Sequence, residues 1–78
     1  MSDNYEKAKE LAAMPYSVVM YRDASTDGDG FVYLASNPEI ERCKAQGLTM
    51  EEAQENLDEV RVMLFEHYLD HNLPIPQP

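Results

Sequence analysis

A single long helix is the feature that most constrains how this 78-residue chain can fold. The run LTMEEAQENLDEVRVMLFEHYLDHN, residues 48–72, has an explicit helix start. Thr49 is a good N-cap residue, and Glu52 stands three residues later, at the spacing of a capping box. Glu51 and Glu52 also favour the positive end of the helix dipole. The sequence therefore predicts a helix that begins directly after Thr49.

The second half of this helix is apolar on two sides. At about 100° per residue, one face collects the side chains that we expect to lie on a sheet: Ala53, Leu57, Val60, Leu64 and Tyr68. The opposite side starts acidic and then becomes apolar, with Val62, Phe65 and Leu69 in line and Met63 on the flank. Because exposed apolar patches usually mark interaction sites, we predict that these four residues form a protein interface. The alternative is that an N-terminal helix or the C-terminal tail covers them within the chain.

The segments before this helix predict a small sheet. YSVVMYRD (Tyr16–Asp23) and FVYLAS (Phe31–Ser36) are rich in β-branched and aromatic residues, as strands are. The Asp-Gly pairs between them are typical of a hairpin connection, so we expect the two strands to be antiparallel. A short third strand is predicted around Arg42 to Ala45, ended by Gly47.

Both ends of the chain predict less regular structure. The stretch SDNYEKAKELAAM has a thin apolar stripe at helical spacing, and Pro15 ends it. The closing LPIPQP disfavours a helix and predicts an extended tail. We therefore expect one α+β domain over residues 1–78, in which one long helix packs on a three-stranded antiparallel sheet. A helical arm (1–14) and a proline-rich tail (73–78) complete it.

Charge and cysteine content narrow the function. The chain has 15 acidic residues against 6 Lys and Arg, a net charge of −9. Such a surface repels phosphate backbones and attracts basic partners, so we predict no direct binding of nucleic acid. Cys43 is the single cysteine, which fits a reducing compartment. With neither a secretory signal pattern nor an apolar run of about 20 residues, we expect a soluble cytoplasmic protein.

The residues that could carry chemistry favour bland interpretations. Asp27 and Asp29 belong to Asp-Gly pairs, which a hairpin needs, and the loop lacks the closing Glu of an EF-hand. His67 and His71 have the spacing of two metal ligands, but Tyr68 stands where the zinc-protease pattern has Glu. Cys43 has no evident base with an orienting third group. We predict no enzymatic activity, no cofactor and no metal.

The order of these motifs resembles the HicB antitoxin family. The stretches that carry the resemblance are YSVVMYRD, GDGFVYLASNPEI, CKAQGLTMEEAQENLDEV and LPIPQP, which cover nearly the whole chain from Tyr16 onward. The family pattern Gly-x-Thr-x-Glu-Glu-Ala followed by Glu-Asn-Leu is matched by Gly47, Thr49, Glu51, Glu52, Ala53, Glu55, Asn56 and Leu57. One departure lies in the turn before Cys43, where Glu41-Arg42 replaces the usual Pro-Gly pair.

This resemblance implies a partial ribonuclease-H-like fold without ribonuclease activity. It also implies a partner, because such proteins bind and block a small basic toxin of the HicA type, an mRNA ribonuclease that uses a histidine. Many members carry a further DNA-binding segment, and since this sequence stops at Pro78 without one, we expect no operator binding. We also expect a homo-oligomer, a dimer or tetramer, formed through the second half of the long helix.

Two other functions remain open at this point. One is a stand-alone regulatory or ligand-binding module without a toxin partner. The other is a metal-dependent nuclease, in which Asp23, Glu39 and Glu51 would form a two-metal site.

Overall fold

The computed structural model describes residues 3–24 and 30–78 of the chain. In chain order its elements are α1 (Asp3–Ala12), β1 (Val19–Ala24), β2 (Phe31–Ser36), β3 (Lys44–Gly47) and α2 (Met50–Asp70). This confirms the predicted α+β fold, with a three-stranded sheet, one long helix packed on it and a short N-terminal helix. Neither helix is long and apolar enough to cross a membrane, as far as the described residues go.

The sheet is antiparallel throughout and has the order β1-β2-β3. Its register places Met20, Ala35 and Ala45 side by side across the three strands. These three side chains belong to the core or pack against it, so they mark the face of the sheet that α2 covers. Because side chains alternate along a strand, Val19 and Tyr21 of β1 lie on the other face, and both are exposed.

Two predicted strand boundaries are shifted. β1 begins at Val19 rather than Tyr16, because the Tyr16 side chain turns into the core and packs edge-on against Phe65 of α2. β3 begins at Lys44 rather than Arg42. Arg42 has a φ of 68°, the left-handed conformation that a strand residue does not adopt.

The Arg42 conformation belongs to a closed turn between β2 and β3. The backbone N–H of Asn37 donates to the carbonyl of Cys43 at 3.1 Å, and the N–H of Ile40 donates to the carbonyl of Asn37 at 3.0 Å. Arg42 therefore occupies the position where the HicB pattern has glycine, and it takes a conformation that glycine adopts more easily.

The start of α2 follows the predicted cap. Thr49 has an extended backbone, and its Oγ1 accepts a hydrogen bond from the Glu52 N–H at 3.0 Å. The approach of β3 to this first turn requires a glycine. A Cβ atom on Gly47 would lie 2.5 Å from the backbone nitrogen of Ala53, closer than side chains can come.

The helix α1 runs antiparallel along the second half of α2. At one end the Asn4 side-chain amide donates to Oδ1 of Asp70, and at the other Arg61 Nε donates to the Ala12 carbonyl at 2.9 Å. Ala8 and Ala12 are buried between the two helices. Small side chains at these positions let the helices approach closely.

The core lies where α1, α2 and the sheet meet. Ala53 and Leu57 of α2 are buried, as the predicted sheet-facing stripe requires. The other members of that stripe, Val60, Leu64 and Tyr68, are partly buried and pack against the core.

Candidate protein interface

The structure separates the four side chains predicted to form an interface. Phe65 is fully buried, at 0% exposure, so the expectation that it faces outward from a single chain is wrong. Leu69 and Val62 are partly buried and pack against the core. Met63 is 66% exposed. Of the four, Met63 and Val62 remain available as a surface, and whether a partner binds there stays a prediction.

Phe65 is covered by two segments that lie far from it in sequence. The Tyr16 ring meets the Phe65 ring edge-on, with centroids 5.6 Å apart and an interplanar angle of 61°. The C-terminal tail is held over this pair, because the Tyr16 hydroxyl donates to the Pro76 carbonyl and Ile75 packs against the core. Burial raises the pKa of the Tyr16 phenol. The intrachain alternative is therefore the correct one for Phe65.

A groove between α1 and α2 holds the side chains that stay accessible. It is lined by Tyr5, Lys9, Asp58, Glu59, Val62 and Met63 and has a volume of about 410 Å³. The Lys9 ammonium lies 5.2 Å from the Tyr5 ring centroid, within the range of a cation–π contact. We call this feature the α1–α2 groove. Its floor is mainly apolar and its rim carries charges.

The two helices hold most of the negative charge. Ten of the fifteen acidic residues lie in α1 and α2, together with three of the six cations, which leaves −7 of the net charge of −9 on these elements. One of the three cations, Arg61, points inward and is bound to Ala12, Asn37 and Asp58. The groove therefore opens on an acidic surface.

The predicted chemistry-bearing residues do not come together. His67 and His71 are neighbours on α2, with ring centroids 4.4 Å apart. Among residues 3–24 and 30–78, no group of three His, Cys, Asp or Glu side chains is placed to hold a metal ion. Asp27 and Asp29 of the hairpin lie outside the described residues.

Cys43 is a buried part of the fold, at 1% exposure. Its Sγ donates to Oδ1 of Asn37 at 3.2 Å, and burial raises the pKa of the thiol. A raised pKa keeps the sulfur protonated and weakly nucleophilic. Glu39 has a structural contact as well: its Oε2 accepts from the Ser17 N–H at 2.9 Å, which lowers the pKa of the carboxyl.

Sequence reasoning did not single out the α1 side of the groove or the outer face of the sheet. Tyr5 was counted toward the helical stripe, yet it is exposed and lines the groove instead. Val19 and Tyr21 form an exposed apolar pair on β1. The signal for that pair was present, since both alternating faces of YSVVMYRD are apolar and one covering helix can bury a single face.

No family model, no curated protein and no solved structure matches this chain. The HicB resemblance therefore depends on the sequence motifs described above.

Proposed function

We propose that this chain is a non-catalytic, antitoxin-like protein that binds and occludes a small basic mRNA-cleaving toxin of the HicA type. The HicB-like order of motifs supports the family, and the charge of −9 supports a basic partner independently of the family. A reducing cytoplasm is part of the same proposal, since the single cysteine is a buried thiol.

The α1–α2 groove is the observation that carries this proposal. Val62 and Met63 offer an apolar floor, while Asp58 and Glu59 provide carboxylates at its edge. A partner that inserts an apolar side chain flanked by Lys or Arg would bury apolar surface and pair its charges at the rim. Basic ribonucleases display such charges around the site that receives RNA.

The acidic helices would serve both association and inhibition. Opposite charges steer two proteins together and raise the association rate at low salt. Once bound, a surface with −7 on its helices would repel the phosphates of an approaching mRNA. Occlusion of this kind requires no catalytic residue in the inhibitor.

The direct test is an RNA-cleavage assay with a HicA-type toxin and increasing amounts of this chain. We expect cleavage to stop near equimolar ratio, and we expect binding to weaken as salt is raised. Met63→Glu should weaken inhibition by about tenfold or more, equivalent to about 1.4 kcal/mol, because it places a carboxylate on the apolar floor. Met50→Glu is the matched control, since Met50 is exposed at the start of α2 and does not line the groove.

Undiminished cleavage in the presence of excess chain would contradict the proposal. Equal effects of Met63→Glu and Met50→Glu would leave inhibition intact but remove the groove as its site.

The alternative function is a stand-alone regulatory or ligand-binding module. One observation favours it: about 410 Å³ falls within the size range of small-molecule sites. Fragment screening by NMR separates the two functions. Saturable binding of an apolar fragment with shifts at Tyr5 and Met63, together with no effect on the toxin, would favour the module.

A further inference from the structure

The strand β1 presents an open edge with apolar side chains beside it. In the described sheet β1 pairs with β2 and has no neighbour on its other side. Val19 and Tyr21 are exposed on the face that α2 leaves uncovered, and Tyr21 is 55% exposed. An edge of this kind is a template for pairing with another strand.

The opposite edge of the sheet is closed by α2. Asn56 Nδ2 donates to the Gln46 carbonyl of β3 at 2.8 Å, so a helix side chain takes a backbone acceptor of that strand. The first turn of α2 also lies directly against Gly47. An added strand would therefore find β1 accessible and β3 obstructed.

The distribution of charge indicates which molecule can approach β1. The three strands carry Arg22, Asp23 and Lys44, a net charge of +1, whereas the helices carry −7. Two copies that met through their helices would bring two strongly negative surfaces together. Two copies that met through β1 would bring together the part of the described fold that avoids this repulsion. Charge thus favours a second copy of the chain at β1.

We propose that two copies pair through β1, antiparallel and about a two-fold axis, to form one continuous six-stranded sheet. Such an interface is isologous, because the same strand contributes from both copies. The proposal concerns self-association and does not depend on toxin binding, since the α1–α2 groove lies on the helices and stays free.

The side-chain alternation restricts the register of this pairing. In a continuous antiparallel sheet, directly opposite residues point to the same face, so the axis passes beside one residue and its own copy. Pairing five residues of β1 allows Tyr21 or Arg22 at that position. Arg22 opposite Arg22 would place like charges together, which is destabilising. Tyr21 opposite Tyr21 instead pairs two aromatic rings, and it sets Val19 opposite Asp23.

Light scattering tests the assembly. We expect the purified chain to show twice its monomer mass of 8.9 kDa. Tyr21→Lys would place two ammonium groups opposite each other and should return the mass to that of the monomer. Met63→Lys adds the same charge at another exposed position, in the groove, and should leave the dimer intact. A wild-type monomer up to millimolar concentration, or a dimer that survives Tyr21→Lys, would overturn the proposal.

Disulfide trapping tests the register, in a Cys43→Ser background. Directly opposite residues have Cα atoms about 4.5–5.5 Å apart, within the range of a disulfide. Tyr21→Cys should therefore cross-link two copies upon mild oxidation. Asp23→Cys is the control on the same strand face, because its two copies would be separated by about 13 Å along the strands. Faster cross-linking of Asp23→Cys than of Tyr21→Cys would overturn the Tyr21-centred register.

Discussion

Arg61 Nη1 donates a 2.9 Å hydrogen bond to Oδ1 of Asn37, a buried side chain with 1% exposure. The same guanidinium donates from Nε to the Ala12 carbonyl at 2.9 Å and from Nη2 to Asp58 at 2.8 Å. Asn37 in turn donates from Nδ2 to the Ser17 carbonyl at 2.8 Å. One side chain of α2 thereby joins α1 to the turn that follows β2.

We expect Arg61→Met to destabilise the fold by about 2–3 kcal/mol, since hydrogen bonds to a charged donor are lost and buried acceptors lose their partner. Lys7→Met is the control, because Lys7 is exposed on α1 and should change stability by less than about 0.5 kcal/mol. Urea unfolding followed by circular dichroism measures both. Equal midpoints for the two variants would show that Arg61 does not join these elements.

Phe65 and Met63 lie two residues apart on α2 and should behave oppositely on truncation. Phe65→Ala removes a fully buried ring and should cost about 3–5 kcal/mol. Met63→Ala should change stability by less than about 0.5 kcal/mol, since Met63 is exposed. The unfolding free energies of the two variants check this difference. A Phe65→Ala variant of unchanged stability would return Phe65 to the surface, where the helical pattern alone placed it.

Arg42 should be improved by glycine. Its left-handed conformation, with φ at 68°, costs a residue with a side chain about 1–2 kcal/mol, whereas glycine adopts it freely. After allowance for the larger unfolded-state entropy of glycine, Arg42→Gly should stabilise the chain by about 0.5–1 kcal/mol. Thermal unfolding measures the change.

Asn72→Gly provides the comparison for Arg42→Gly. Asn72 also has a positive φ, 54°, but asparagine tolerates this region better than arginine. Its replacement should therefore gain less. A gain at residue 72 that equals or exceeds the gain at residue 42 would contradict the strain argument.

Cys43 should make stability fall at alkaline pH. Burial raises the pKa of its thiol, so the unfolded chain releases this proton at a lower pH than the folded chain. The contribution is fully present below the unfolded pKa of about 8.5 and is lost as pH rises through the folded pKa. Tyr16, whose pKa is also raised, adds a similar loss above about pH 10.

Urea unfolding between about pH 7 and about pH 9.5 isolates the thiol. We expect stability to fall across this range in the wild type and to fall less in Cys43→Ser, which keeps a donor beside Asn37 and cannot ionise. Identical pH profiles would show that the thiol titrates alike in the folded and unfolded chains.

Local features of the chain were predictable because their signals are local. The Thr49 cap, the β2 boundaries and the hairpin order each depend on residues within a few positions of one another. The sheet-facing stripe of α2 also follows from helical spacing, and Ala53 and Leu57 confirm it. The same pattern correctly indicated that Met63 stays accessible, which is half of what defines the groove.

Burial of Phe65 is a different kind of property, and the sequence pattern alone assigned it wrongly. Its cover consists of Tyr16 and the tail, and the bond that joins them spans 60 positions of the chain, from Tyr16 to Pro76. The Arg61 bond to Ala12 spans 49 positions. Periodicity reports which side chains share a face of a helix, but not which distant segment packs on that face.

The sequence by itself therefore determined the elements, their order and the acidic character of the helices. Tertiary structure decided which apolar side chains were covered, and it left the α1–α2 groove and the β1 edge open. The physical reason is that burial depends on the sum of contacts from segments distant in sequence, whereas caps, turns and alternation depend on near neighbours.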